Sequence, residues 1–383
     1  MMINANKVKA LMEAQDIEVM LVNSPENFIY TSGIYDSTIH MLMKSRMLDQ
    51  FTVVPKESEP VLLINSGALE NAEEMSWIKD IRTTPNTSWL VRDRAHKDFA
   101  ASASEGIARI LQEKKLTSGR IGIEKGYISF DTYEFFRSKF PRAQFCDIQS
   151  ILQDLRAIKT DNEIAKIKQA IKSTERGYEA AMASIAEGIT DFDIAKAFRV
   201  AVAHEGDDVA HLMCGVGAKG GVLFTHPCGS KVKEGDIIRF DLGTVHMGYR
   251  SDLSRTAVLG EPSERLLKLH RALLEAQQKG IKEIKPGTKL CKIHEIIKKA
   301  VRDAGYTEYT RGMFGHSVGL ETEEQPMITA STDAVFEPNM VFTVEVSWYE
   351  PAWGGMNIED MIVVTKDGCE ELSTMPRDIR AIK

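Results

Sequence analysis

The sequence predicts an α/β protein of two domains, residues 1–154 and 155–383, the second made of two similar α/β halves folded around one antiparallel sheet with pseudo-twofold character. Three observations lead to this expectation. A chain of 383 residues exceeds what one ordinary compact core accommodates. Over the first domain, apolar runs (EVMLVN, FTVV, PVLLI, RIGIE) alternate with amphipathic stretches such as FAASASEGIARILQEKK, the pattern of strands and helices in turn. Beyond Leu155, a helical pair followed by strands occurs twice.

The elements of the second domain are marked by their own signals. After Leu155-Arg156-Ala157-Ile158-Lys159 the texture changes, and Thr160-Asp161 supplies a capping residue and an acid for the first turn of EIAKIKQAIKSTERGYEAAMASI. Thr190-Asp191 opens a second helix in the same way. Strand-like segments follow at IIRFDLG and RTAVLG, then the helices SERLLKLHRALLEAQQKGIKEI and KLCKIHEIIKKAVRDAG, and then the strands MVFTVEVSW and MNIEDMIVVT.

Composition removes several function classes. Apolar residues make up 43% and charged residues 27% of the chain, as in soluble globular proteins. The formal charge of −7 comes without a Lys/Arg-rich run, so no nucleic-acid partner is expected. The opening MMINANKVKALMEAQDIEVMLVN interrupts its apolar residues with charges too often for a signal peptide or a membrane span, and a cytoplasmic protein with no membrane partner is expected. Cys146, Cys214, Cys228, Cys291 and Cys369 are widely spaced with no CxxC pair, and read as reduced structural thiols.

The chemistry lies in acids that interrupt apolar strands. Asp241 and Asp252 bracket Asp-Leu-Gly-Thr-Val-His-Met-Gly-Tyr-Arg-Ser-Asp, whose Gly248 signals a hairpin turn. Folding there brings two like charges onto neighbouring strands, which is destabilising unless something cationic lies between them. Taken alone, the pair reads equally well as solvated edge carboxylates. Glu345 in Val-Phe-Thr-Val-Glu-Val-Ser and Glu359 in Met-Asn-Ile-Glu-Asp-Met-Ile repeat the anomaly on two further strands, where an unpaired buried carboxylate costs on the order of several kcal/mol. His316, in Phe-Gly-His-Ser-Val-Gly-Leu, would alone read as a core histidine, but among four such acids it reads as a nitrogen donor. Carboxylates with one imidazole and no thiolate suit two divalent ions, with Mn(II) first and Co(II), Zn(II) or Fe(II) as alternatives.

Asp-Leu-Gly, then Gly-Tyr-Arg-Ser-Asp-Leu-Ser-Arg-Thr, Gly-His-Ser-Val-Gly-Leu, Val-Phe-Thr-Val-Glu and Asn-Ile-Glu-Asp resemble, in order and spacing, the pita-bread metallopeptidase superfamily of prolidase, Xaa-Pro aminopeptidase, methionine aminopeptidase and creatinase. The amino-terminal Ser24-Pro-Glu-Asn-Phe-Ile-Tyr-Thr-Ser-Gly33 resembles the added domain of the creatinase/prolidase branch. The resemblance implies an amino-terminal creatinase-like domain and a carboxy-terminal pita-bread domain. It implies metal ligands Asp241, Asp252, His316, Glu345 and Glu359, with Asp252 and Glu359 bridging two ions. It implies Glu345 as proton shuttle, and His226, in Phe-Thr-His-Pro, as a substrate-binding and catalytic histidine. The expected activity is hydrolysis of a small peptide amide, Xaa-Pro dipeptides first, by a homodimer. A non-peptide C-N hydrolase or lyase acting on a cyclic amidine or guanidino solute is the alternative on this scaffold, and a non-catalytic binding module a third reading.

Two positions depart from the family pattern. Glu323 stands where peptidases of this group carry a second histidine, and Asn357 where an arginine precedes the last glutamate by two residues. Both are expected beside the substrate, with Glu323 in a partly buried site where its charge disfavours substrate anions. Two other signals carry no function. Gly215-Val-Gly-Ala-Lys-Gly220 matches GxGxxG, but Pro227 and Gly229 follow too soon for the required helix. His204-Glu-Gly-Asp-Asp208 reads as a solvated helix end, and His270 and His294 as surface or packing residues on amphipathic helices.

Overall fold

A computed structural model describes residues 5–85 and 98–383. The chain divides into two compact units, Met1–Arg156 and Ala157–Lys383. In the first unit, β1 (Val19–Val22), β2 (Phe51–Pro55), β3 (Val61–Asn65), β4 (Asp80–Thr84), β5 (Gly119–Ile123) and β6 (Ala143–Asp147) form one sheet in the order β4-β3-β2-β1-β5-β6. The pairs β1–β2 and β2–β3 are antiparallel, and the others parallel. The run Val61-Leu62-Leu63-Ile64 explains why such strands read as continuously apolar. Val61 and Leu63 enter one core with Val19, Ile107 and Phe136, while Leu62 and Ile64 enter another with Phe28 and Ala72, so both faces of β3 are covered.

The second unit holds β7 (Asp208–Val216), β8 (Ile237–His246), β9 (Tyr249–Arg250), β10 (Leu253–Leu259), β11 (Met313–Ser317), β12 (Glu324–Thr329), β13 (Val341–Glu350), β14 (Gly354–Val364), β15 (Cys369–Glu371) and β16 (Arg380–Ile382). They form a single sheet along the path β12-β11-β13-β14-β10-β8-β7, with β9 on β8, β15 on β14 and β16 on β10. Among the described pairings only β10–β16 is parallel.

Two helical pairs cover this sheet. Helix Asp161–Ala183 opens on a capping box in which Thr160 Oγ1 accepts from the Glu163 amide at 3.3 Å and Glu163 Oε2 accepts from the Thr160 amide at 2.8 Å. Thr190 and Asp193 repeat the device for helix Asp191–His204. Tyr178 of the first helix meets Phe198 and Phe240 edge-on, and Ala170 O accepts from Thr244 Oγ1, so Phe240 and Thr244 mark the helix-facing side of β8. The second pair, Glu264–Lys282 and Leu290–Asp303, buries Leu273, Ile293 and Ile297 against Val344, Val346, Ile358 and Ile362 of β13 and β14. Side chains alternate along a strand. Asp241, Glu345 and Glu359 therefore project from the opposite face.

The glycine-rich segment after β7 forms a single 3₁₀ turn, Gly217–Gly221, with no α-helix following. A Cβ on Gly221 would lie 2.3 Å from Glu350 O, so glycine lets the turn rest against the β13–β14 hairpin. His204 is exposed at its helix end, whereas His270 and His294 are buried packing residues whose Nε2 atoms donate to Arg377 O and Arg311 O. No described helix is long and apolar enough to cross a membrane.

Candidate metal centre

The β8–β9 hairpin turns at Met247 and Gly248, both in the left-handed region at φ 49° and 87°. The register it sets puts Asp241 opposite Ser254 and Leu242 opposite Leu253. Asp252, two residues before Ser254, thereby becomes the diagonal same-face neighbour of Asp241. A cationic group does approach the pair. His211 of β7, whose strand register places it opposite Gly243, holds Nε2 3.1 Å from Asp241 Oδ1 and 3.1 Å from Asp252 Oδ1. Burial opposes charge on this imidazole, but Asp252 and Asp241 outweigh it and raise its pKa to about 10.

A second triad adjoins the first. One ligand atom each of Asp252, His316 and Glu359 lie within 4.8 Å of one another, as do those of His211, Asp241 and Asp252. Asp252 is common to both, the arrangement in which one carboxylate can bridge two ions. His316 is oriented for this: its Nδ1 donates to Ser317 O at 3.1 Å, which leaves Nε2 directed at Asp252 Oδ2, 3.6 Å away. Glu359 faces Glu345 in direct cross-strand register and accepts from Ser254 Oγ at 2.8 Å. Its side chain is 2% exposed, and burial, together with Asp252, Glu345 and Asp241, holds its carboxyl well above the usual range. Buried acids crowded in this way, with one imidazole in each triad, fit divalent cations, which would neutralise them.

Residues 165–366, more than half of the chain, match metallopeptidase family M24. The chain belongs to that family. Residues 5–158 match the Creatinase/Prolidase N-terminal domain. An Xaa-Pro dipeptidase of Lactobacillus helveticus is 27% identical over 99% of both chains, and one of Pyrococcus furiosus 30% identical over 68% of this chain and 75% of its own. The crystal structure of an X-Pro aminopeptidase from Thermotoga maritima superimposes with a TM-score of 0.83 at 26% identity, covering 98% of this chain and all of the other. The M24 chain described here is thus a metal-dependent hydrolase with the pita-bread fold.

The remaining expected site residues are arranged unevenly. Glu345 lies outside both triads, and its Oε2 accepts from Arg311 Nη2 at 2.9 Å and from Asn357 Nδ2 at 3.4 Å. Burial pushes its carboxyl up, against the pull of Arg311 and His316. Asn357 is fully buried and also donates to Ser254 Oγ at 2.9 Å. His226 is exposed, on a loop whose Val222 and Leu223 carbonyls accept from the buried Arg239 at 2.7 and 2.9 Å. Glu323 corrects the sequence-based expectation: it is exposed in the bend before β12, so water and salt screen its charge. The buried acid of this segment is Glu324, which accepts from Lys159 Nζ at 3.2 Å and from the Leu320 amide at 2.9 Å.

His211 and Arg311 are the two residues that sequence reasoning missed. Neither belongs to a motif quoted for the family. Alternation along DVAHLMCGV puts His211 on the same side as Met213, yet only the register against β8 shows that this side faces Asp241.

Proposed function

We propose that this M24 member is a dinuclear-metal dipeptidase acting on small peptides, with Xaa-Pro dipeptides as its first substrates. The observation that carries the reading is Asp252, shared between two triads of metal-binding side chains. In it, Asp241, Asp252, His316, Glu345 and Glu359 hold two divalent ions, Mn(II) first, with Co(II), Zn(II) and Fe(II) as alternatives. When bound, such ions acidify water and polarise the scissile carbonyl.

The chain's own residues do the rest. Glu345, whose carboxyl burial has shifted upward, takes and returns the proton at its Oε atoms. His226, on the loop pinned by Arg239, hydrogen-bonds the substrate. Asn357 acts indirectly, through its hydrogen bonds to Glu345 and Ser254. Relatives with an arginine two residues before the last glutamate supply a guanidinium there; here Arg311 brings one to Glu345 from the segment before β11. The reading extends to a cytoplasmic homodimer, which sedimentation of the purified protein checks.

The deciding assay offers the Mn(II)-loaded enzyme a panel of Xaa-Pro and other dipeptides beside cyclic amidines and guanidino compounds. Cleavage of an Xaa-Pro bond is expected; turnover confined to the non-peptide compounds would transfer the chain to the C-N hydrolase alternative. A second expectation concerns Arg311→Ala. Losing the charge-assisted hydrogen bond to Glu345 should cost about 10- to 100-fold in metal affinity or activity, as for other groups that orient a ligand. Arg311→Lys restores charge without the planar fork and should recover only part of the loss. Unchanged kcat and metal affinity in both variants would remove Arg311 from the site.

A further inference from the structure

His211 is built into the sheet as a ligand would be. Its partner across the strands is Gly243, and a Cβ there would lie 2.4 Å from His211 Cε1 and 2.8 Å from Nδ1. The Ser251 carbonyl, at 2.2 Å, bars a side chain at position 243 as well, and the imidazole lies in the notch that the missing side chain leaves. The ring is turned so that Nε2 meets both aspartates at 3.1 Å, while Nδ1 is buried with no hydrogen-bond partner among the described residues. The packing histidines His270 and His294 instead each turn Nε2 to a backbone carbonyl. This one commits its only engaged atom to two carboxylate oxygens, one from β8 and one from the link between β9 and β10.

The distances, within hydrogen-bond range, also match those between neighbouring donors of one ion. Donors bonded at about 2.1 Å to one ion in adjacent octahedral positions lie about 3.0 Å apart, by simple geometry from ordinary metal–nitrogen and metal–oxygen lengths. The two contacts of His211 Nε2 fall at that value. The His316 side differs in donors but not in kind: its Nε2 stands 3.6 Å from the other oxygen of the same Asp252. Asp252 therefore has an imidazole facing each of its oxygens.

We propose that His211 is a sixth protein ligand, binding through Nε2 the ion held by Asp241 and Asp252, so that each ion of the pair has one imidazole. This rests on the dinuclear reading given above and adds to it a nitrogen donor at the Asp241 end. Imidazole suits Co(II), Zn(II) and Fe(II) better than it suits Mn(II), so that end should accept the former ions more tightly.

The test uses the full chain stripped of metal and titrated with Co(II). Bound ions are counted by elemental analysis, and coordinated imidazoles by their hyperfine-shifted, exchangeable N–H proton resonances. Wild type should take up two ions and show two such resonances, from the Nδ1–H groups of His211 and His316. In His211→Ala, one ion should remain tight with one resonance, while the second binds more weakly by more than the roughly 10- to 100-fold typical of an outer-shell partner. The retained ion also reports that the variant has folded, and if it has not, selective ¹⁵N-histidine labelling of wild type decides alone. One imidazole resonance in wild type, or two ions bound with unchanged affinity by His211→Ala, would overturn the proposal. A fall in uptake from two ions to one in Asp241→Asn alongside that result would leave the dinuclear reading standing. No Co(II) uptake by wild type would instead defeat the dinuclear reading itself.

Discussion

Replacing Glu359 by glutamine is expected to stabilise the metal-free protein while ending its activity. Glu359 is buried among Asp252, Glu345 and Asp241, and its carboxyl is held well above the usual range. An acid whose folded pKa is raised binds more protons in the folded than in the unfolded state. Its penalty is absent below the unfolded value near 4.5 and grows as pH rises through the interval up to the folded value. At pH 8 in chelator the penalty is therefore present, and the neutral amide removes it. Each pKa unit relieved is worth about 1.4 kcal/mol, or about 3–6 °C in melting midpoint for a unit of this size. Metal should raise the midpoint of wild type by more than that of the variant. Several kcal/mol of charge stabilisation in the transition state leave with the ion lost, so kcat/KM should fall about a thousandfold or more. A Glu359→Gln protein that melts lower than wild type in chelator, or that keeps its activity, would show that this carboxylate is not waiting for a cation.

The same opposition of stability and chemistry made part of the site readable from sequence. Acids at positions 241, 345 and 359 are anomalous because each interrupts an apolar run, and the periodicity of a strand assigns them one face. Position 252 was accessible because Gly248 fixes the turn, and the turn fixes the register. What stayed hidden depends on neighbours distant in sequence. His211 is one histidine in a half-buried strand, and its meaning comes from Gly243 and two aspartates thirty or more residues away. Arg311 precedes β11 in a segment without periodicity, held by the buried His294. Glu323 and Glu324 show the limit most sharply: adjacent acids are indistinguishable in sequence, and only the pairing of Ser317 with Glu324 turns one inward and leaves the other in solvent.

Asp360→Ala, one residue along the same strand, is expected to have the opposite sign. Alternation sends Asp360 to the helix-covered face, where its side chain is 1% exposed. Its Oδ1 accepts from Arg255 Nη2 and Ser373 Oγ, each at 2.7 Å, and its Oδ2 from Arg377 Nε at 2.6 Å and Gln277 Nε2 at 3.1 Å. Burial would raise this carboxyl, but Arg255 and Arg377 prevail and hold it below the usual range. The contribution is therefore complete above the unfolded pKa near 3.8 and is lost as pH falls through the folded value, the reverse of Glu359. Removing the acid leaves the Arg255 guanidinium, also 1% exposed, without its counter-charge, a defect that costs about 3–5 kcal/mol. Arg255 further donates to Ser254 O and Glu359 O at 2.8 Å each, so the network fixes the backbone that carries the metal centre. Denaturant titration near neutral pH should show a large fall in midpoint at unchanged m, and Asp360→Asn, which keeps shape but not charge, should lose most of the same stability. A loss under about 1 kcal/mol in both variants would mean that solvent, and not Asp360, balances these arginines.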